Sequence, residues 1–195
     1  MTADLADFGR QYTARLAGLL QQLDYTVVEA ISERLIRAHA DGRRVYVIGN
    51  GGSAATAAHF VCDLGKNTAS ERVQGIRVMC LTDNVPIATA LSNDHGYDTV
   101  FERQLRTLLE PGDVVLAISA SGNSPNIVNG LKTAREIGAS TIGLLGFDGG
   151  AARALVDVAL VIESFNYGQV EDAHMILGHV LAQHLRQRLS AAANR

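Results

Sequence analysis

Apolar residues in the first forty positions recur at helical spacing. Leu16, Leu19, Leu20 and Leu23 form one series and Val27, Ile31, Leu35 and Ile36 another, which predicts two helical segments within residues 4–40. From residue 43 the pattern changes to short apolar runs separated by amphipathic stretches. The runs predict strands at 44–49, 74–81, 113–119, 140–145 and 156–162. Helices are expected between them at 54–65, 85–91, 99–109, 125–136 and 149–155, and a long last helix over roughly 169–189. Apolar strands alternating with helices mean a parallel sheet covered on both faces. Five of them in this rhythm predict the α/β class, as a single doubly wound five-stranded parallel sheet in flavodoxin-like order. Such a sheet binds ligands at the carboxyl ends of its strands. The extra N-terminal helices lie outside the alternation. Their apolar faces mark residues 1–40 as a helical segment suited to contacts between subunits.

Composition narrows the class. The chain of 195 residues carries no linker, repeat or low-complexity stretch and is read as one domain, residues 1–195. It is 47% hydrophobic without an apolar run of spanning length, which predicts a soluble protein with no membrane partner. The start, Met1-Thr2-Ala3-Asp4, is acidic and unlike a secretory leader, so a cytoplasmic location is expected. A net charge of −3 argues against direct nucleic-acid binding, because neutralising phosphates needs a basic face. The two cysteines, Cys62 and Cys80, form no CxxC motif and suit a reducing compartment as small buried hydrophobes.

Two polar turns carry the candidate chemistry. In the first, a strand runs into Gly49-Asn50-Gly51-Gly52-Ser53 and then an alanine-rich helix. Glycines admit close backbone approach, a helix N-terminus favours an anion, and Ser53 is placed to cap the helix. The turn is neither a Walker A loop nor a GxGxxG fingerprint. His59 and Asp63 follow four residues apart, hence on one helix face. In the second turn, Ser119-Ala120-Ser121-Gly122-Asn123-Ser124 precedes Pro125, with Ser124 at the cap. Hydroxyls and free N–H groups at such a junction hold a phosphate without needing lysine or arginine. Between the two turns lies Ser92-Asn93-Asp94-His95-Gly96-Tyr97, whose Asn93 and Asp94 are placed to meet sugar hydroxyls or simply to make a turn. Lys66 and Arg103 are possible phosphate contacts or surface charges.

These three motifs, in this order, resemble the sugar isomerase (SIS) domain family, and within it the sedoheptulose 7-phosphate isomerase branch. The resemblance implies a homotetramer with sites at subunit interfaces, and a ketose–aldose isomerase acting on a sugar phosphate. The implied reaction converts sedoheptulose 7-phosphate into D-glycero-D-manno-heptose 7-phosphate. The alternatives are isomerisation of another sugar phosphate, or a non-catalytic sugar-phosphate-binding scaffold of the kind that associates with a replication initiator. By resemblance, Ser119, Ala120, Ser121 and Ser124 would hold the phosphate, and Asn50, Gly51, Gly52, Ser53, Asn93, Asp94 and Glu171 would contact or shape the sugar pocket. His59, Asp63, Glu171 and His179 would bind a divalent metal, in the first place Zn²⁺, with Asp63 as base and His179 as acid. Two residues depart from the family pattern: Asp63 stands where the family carries glutamate, and Glu171 where it carries glutamine. Both still offer oxygen donors. On the same last helix, His174 is read as structural or as a support behind the site, and His184 as solvent-exposed or interfacial.

Overall fold

The computed structural model describes residues 4–193. Residues 1–3, which begin the expected N-terminal helical segment, lie outside the described residues, as do 194–195. Two helices open the chain, α1 (Leu5–Gln21) and α2 (Tyr25–Ala40), as the apolar spacing predicts. Asp4 and Asp24 cap them, each accepting a backbone N–H two residues on. Then come β1 (Val45–Gly49), α3 (Gly52–Cys62), β2 (Val78–Cys80), α4 (Val85–His95), α5 (Val100–Leu108), β3 (Val114–Ser119), α6 (Pro125–Ile137), β4 (Ser140–Gly146), β5 (Val158–Ile162) and α7 (Tyr167–Ala193).

The strands form one parallel sheet in the order β2-β1-β3-β4-β5, the flavodoxin-like order expected from the sequence. Alternate residues of the inner strands feed two cores. Val45, Val47, Leu116 and Ile118 pack on one side with Ile31 and Leu35 of α2, Phe60 of α3 and Leu181 of α7. Tyr46, Ile48, Val115 and Ala117 pack on the other with Phe101 of α5 and Ile127 of α6. Both faces are therefore buried, which is why these strands read as continuous apolar runs. The order reverses between β1 and β3, and that reversal opens a crevice at their carboxyl ends.

Several elements differ from expectation, each for a local reason. Strand β2 has three residues rather than the eight of 74–81. The Ile76 N–H is taken by Thr68 Oγ1, so the ladder with β1 starts only at Val78. Helix α3 stops at Cys62, and a π-helical turn (Asp63–Asn67) continues it. At its start Gly51 sits at φ 54° and serves as the N-cap without a side-chain bond. The helix therefore begins at Gly52, and Ser53 is its second residue rather than its cap. Helix α4 runs on to His95, so Asn93 and Asp94 are helical rather than in a turn. The stretch expected as a helix at 149–155 is a 3-10 turn (Ala151–Leu155), entered through Gly149 and Gly150 at positive φ. Cys80 is buried as expected, but Cys62 is exposed.

Candidate active site

The second polar turn closes the crevice from the β3 side. Ser119 is buried, and its Oγ accepts the Gly122 N–H at 3.1 Å; Ser121 Oγ accepts the Asn123 N–H at 3.3 Å. Each hydroxyl has thus filled an acceptor site and keeps its proton for a ligand. Ser124 is the N-cap of α6, but its hydroxyl makes no cap bond and is also free. The loop is braced from behind. Asn123 accepts from Ala151 N and donates to Ser121 O, and a Cβ at Gly122 would lie 2.0 Å from Gly149 O. Only glycine fits there, at φ 64°.

Ser119, Ala120, Ser121 and Ser124 line a cavity of about 120 Å³ with Asn50, Ser53, Ile118, Tyr167 and Glu171. That is well below the roughly 300–1,000 Å³ of a complete small-molecule site, so it suits one end of a ligand. A Cβ at Gly52 would lie 2.3 Å from Glu171 Oε2, so the bare backbone lets this carboxylate reach the start of α3.

Helix α7 runs beside α3 in the same direction. Gly52 meets Glu171, and seven and eight residues further on, His59 meets His179. The two Nε2 atoms approach to 2.9 Å with the rings edge-on. Asp63 Oδ2 stands 3.5 Å from His59 Nε2 and 3.7 Å from His179 Nε2. Asn67, four residues on in the π turn, donates to Asp63 Oδ1 at 2.9 Å, which leaves Oδ2 for the imidazoles. Among the described residues these three side chains form a group able to hold a metal ion. Two nitrogens and an oxygen are a donor set that zinc and similar ions accept, with a position left for a ligand. Tetrahedral zinc would need the nitrogens to part by only about half an ångström. Glu171, expected as a fourth ligand, is outside this group and lies in the serine-lined cavity instead. The cause is its place on α7 two turns before His179, beside Gly52.

The remaining candidates fall as follows. Asn93 and Asp94 are exposed on the last turn of α4, hydrogen-bonded to each other at 2.9 Å, and do not line the cavity. Arg103 lines a separate groove of about 450 Å³ with Ile87, Leu91 and Arg106, and Lys66 is exposed in the π turn. His174 is fully buried. Its Nε2 donates to Leu145 O at 3.1 Å while Nδ1 has no partner. Burial pushes its pKa down to about 4, against a smaller opposing effect of that hydrogen bond. It is therefore a neutral tether between α7 and β4. His184 Nδ1 meets Ser32 Oγ at 3.0 Å, joining α7 to α2. Asp172 accepts from Tyr12 Oη at 2.6 Å. That bond, with burial and the charges of Asp172 and Glu171, pushes the phenol up to about 12.

Sequence reasoning missed Asn67, Tyr97, Asn126 and Tyr167. Asn67 was findable, since Asp63 and Asn67 are four apart. Tyr167 was findable on the same ground, four residues before Glu171, whereas Tyr97 and Asn126 meet Asn50 only through chain crossings that no local spacing reveals.

Fold and site together define a doubly wound α/β protein with a hydroxyl-lined pocket at its switch point and a His–Asp–His group about two helical turns further along α3 and α7. The SIS domain family model matches residues 7–146, and the chain belongs to that family. It is 41% identical over 162 residues to the phosphoheptose isomerase of Trichlorobacter lovleyi, covering 83% of this chain and 82% of that protein. It is also 41% identical over 162 residues to the phosphoheptose isomerase of Geobacter sulfurreducens, covering 83% and 85%. The solved structure of phosphoheptose isomerase from Neisseria gonorrhoeae superposes with a TM-score of 0.85 at 28% identity, over 93% of this chain and 96% of that one.

Proposed function

We propose that this protein is a phosphosugar ketose–aldose isomerase, and that its substrate is sedoheptulose 7-phosphate. The observation that carries the reading is the convergence of His59, Asp63 and His179 on two parallel helices that lead away from the serine-lined cavity. Seven helical residues span about 10 Å. A substrate anchored by its phosphate at one end must therefore present its reacting carbons at the other. A seven-carbon chain with a terminal phosphate has that reach, whereas a five-carbon one falls short. The names of the curated relatives support the same substrate.

In this reading Ser119, Ser121 and Ser124 donate hydroxyl protons to the phosphate, and Ala120 gives the loop its shape. Asn50 and Glu171 meet sugar hydroxyls at the cavity rim, with Gly51, Gly52 and Ser53 shaping the entrance. Asn93 and Asp94, just before Tyr97, are assigned to the outer hydroxyls. Asp63 Oδ2 takes a proton from C1 of the ketose and returns one to C2 through an enediol, while His179 moves the proton between the two oxygens. Asn67 keeps Asp63 turned toward this work. A divalent ion, zinc by its donor set, would be held by His59, Asp63 and His179 and would polarise the substrate carbonyl, with metal ligation and proton transfer alternating at Asp63 and His179. The protein acts as a cytoplasmic homotetramer with a small-molecule partner.

The test is turnover of a panel of C5 to C7 ketose phosphates followed by NMR. The seven-carbon substrate should be converted fastest. Conversion of none of them would refute the assignment, and preference for a shorter sugar would move it to another phosphosugar.

A further inference from the structure

Asn50 is the first residue beyond β1, on the wall of the cavity at the switch point. Its amide is held from two sides by residues that belong to neither polar turn's ligand set. Asn126, buried as the second residue of α6, faces it in a reciprocal amide pair: Asn50 Nδ2 donates to Asn126 Oδ1, and Asn126 Nδ2 donates to Asn50 Oδ1, both at 2.9 Å. Tyr97, in the 3-10 turn (Tyr97–Thr99), donates its hydroxyl to the same Asn50 Oδ1 at 2.7 Å. Asn126 Oδ1 also accepts the Ile127 N–H at 3.0 Å, so its oxygen and nitrogen cannot exchange places without losing that bond.

The inventory then closes. Asn50 Oδ1 has two lone pairs and two donors. Asn50 Nδ2 has two protons, of which Asn126 takes one. A flip of the Asn50 amide would set carbonyl against carbonyl and NH₂ against NH₂ across the pair. What Asn50 can offer a ligand is therefore a single N–H.

We propose that Tyr97 and Asn126 are positioning residues that lock the Asn50 amide as a one-proton donor, so that the sugar oxygen it meets must accept rather than donate. The proposal rests on the sugar-phosphate isomerase reading for its ligand, but not for its geometry. It gives the segment after α4 a role in recognition through Tyr97, by way of a residue 47 positions earlier in the chain.

Four quantities test it: kcat and KM for sedoheptulose 7-phosphate, the Kd of that sugar phosphate, and the Kd of inorganic phosphate. Tyr97 is half exposed, so Tyr97→Phe keeps the fold, which thermal unfolding checks. It should weaken sugar-phosphate binding and kcat/KM about five- to tenfold, the worth of one hydrogen bond, and leave inorganic phosphate binding unchanged. Asn126→Leu should act in the same direction and by more, about 10- to 100-fold, because it removes two of the three hydrogen bonds that hold the Asn50 amide. In an Asn50→Ala background Tyr97→Phe should have no further effect, since its only action is through that amide. An undiminished effect in that background overturns the proposal. So does an equal loss of inorganic phosphate binding, or no effect of Tyr97→Phe at all. If wild-type protein turns over no ketose phosphate yet the split between sugar-phosphate and phosphate binding persists, the isomerase reading falls and the amide lock stands.

Discussion

Two imidazole nitrogens 2.9 Å apart cannot both point protons at each other. A single proton or a cation between the two nitrogens of the His59–His179 pair would satisfy both, and Asp63 lies beside them. In the serine loop Ser119 and Ser121 each accept a backbone N–H and keep their own protons for a ligand, while the Ser124 hydroxyl makes no cap bond. Ser121→Ala combined with Ser124→Ala should then raise KM by about 10²-fold or more, since each removes a hydrogen bond to a charged group. Steady-state kinetics with intact thermal unfolding would check it, and an unchanged KM would remove these residues from phosphate binding. At this scale the sequence was informative where spacing is local. The interval of four between His59 and Asp63 put both on one face. The 76-residue separation of Asn50 and Asn126, and the reach of Glu171 to Gly52 rather than to His179, depend on chain crossings and helix registry that no local pattern encodes.

Helix α7 is the element on which the site depends, and His174 shows how it is seated. A neutral imidazole buried between α7 and β4 makes one hydrogen bond and leaves Nδ1 unpartnered, so protonation inside the fold is disfavoured. The folded value near 4 lies below the ordinary 6.5. Between those two values the unfolded chain takes a proton that the folded chain refuses, so this contribution is complete above pH 6.5 and is lost as pH falls toward 4. At pH 4.5 the loss should amount to roughly 2–3 kcal/mol. Urea unfolding at pH 7 and pH 4.5 should show a smaller pH penalty in His174→Gln than in the wild-type protein. Equal penalties would mean that His174 does not titrate in this way. Helices were legible to within a turn wherever an apolar stripe met the core. Strand β2 was not, because Thr68 captures a backbone N–H that an isolated strand pattern assigns to the ladder. Nor was the start of α3, which is set by the positive φ of Gly51.

On the scale of the molecule, the alternation of strands and helices was enough for the strand order and hence for the crevice. Assembly is a different matter. Helix α1 has no fully buried residue, and Leu5 and Phe8 are 82% and 56% exposed. Tyr25 on α2 and Ile176 and Val180 on α7 add exposed apolar surface next to His179. Among the described residues no helix is long and apolar enough to cross a membrane. Such surface calls for cover, and we expect further copies of the chain to supply it in a homotetramer. Light scattering at micromolar concentration should give four times the mass of one chain, with Leu5→Asp plus Phe8→Asp shifting it to smaller species. A monomeric wild-type protein would reject this arrangement.

The whole account turns on proton transfer by Asp63, and solvent exchange reads that step directly. Sedoheptulose 7-phosphate incubated with the protein in D₂O should yield aldose phosphate carrying deuterium at C2, and at equilibrium the ketose should acquire it at C1. Asp63→Asn, folded as the wild type, should lower the rate of both by about 10²-fold or more. Conversion that leaves both positions unlabelled, or an Asp63→Asn protein that labels and turns over at the wild-type rate, would contradict the account.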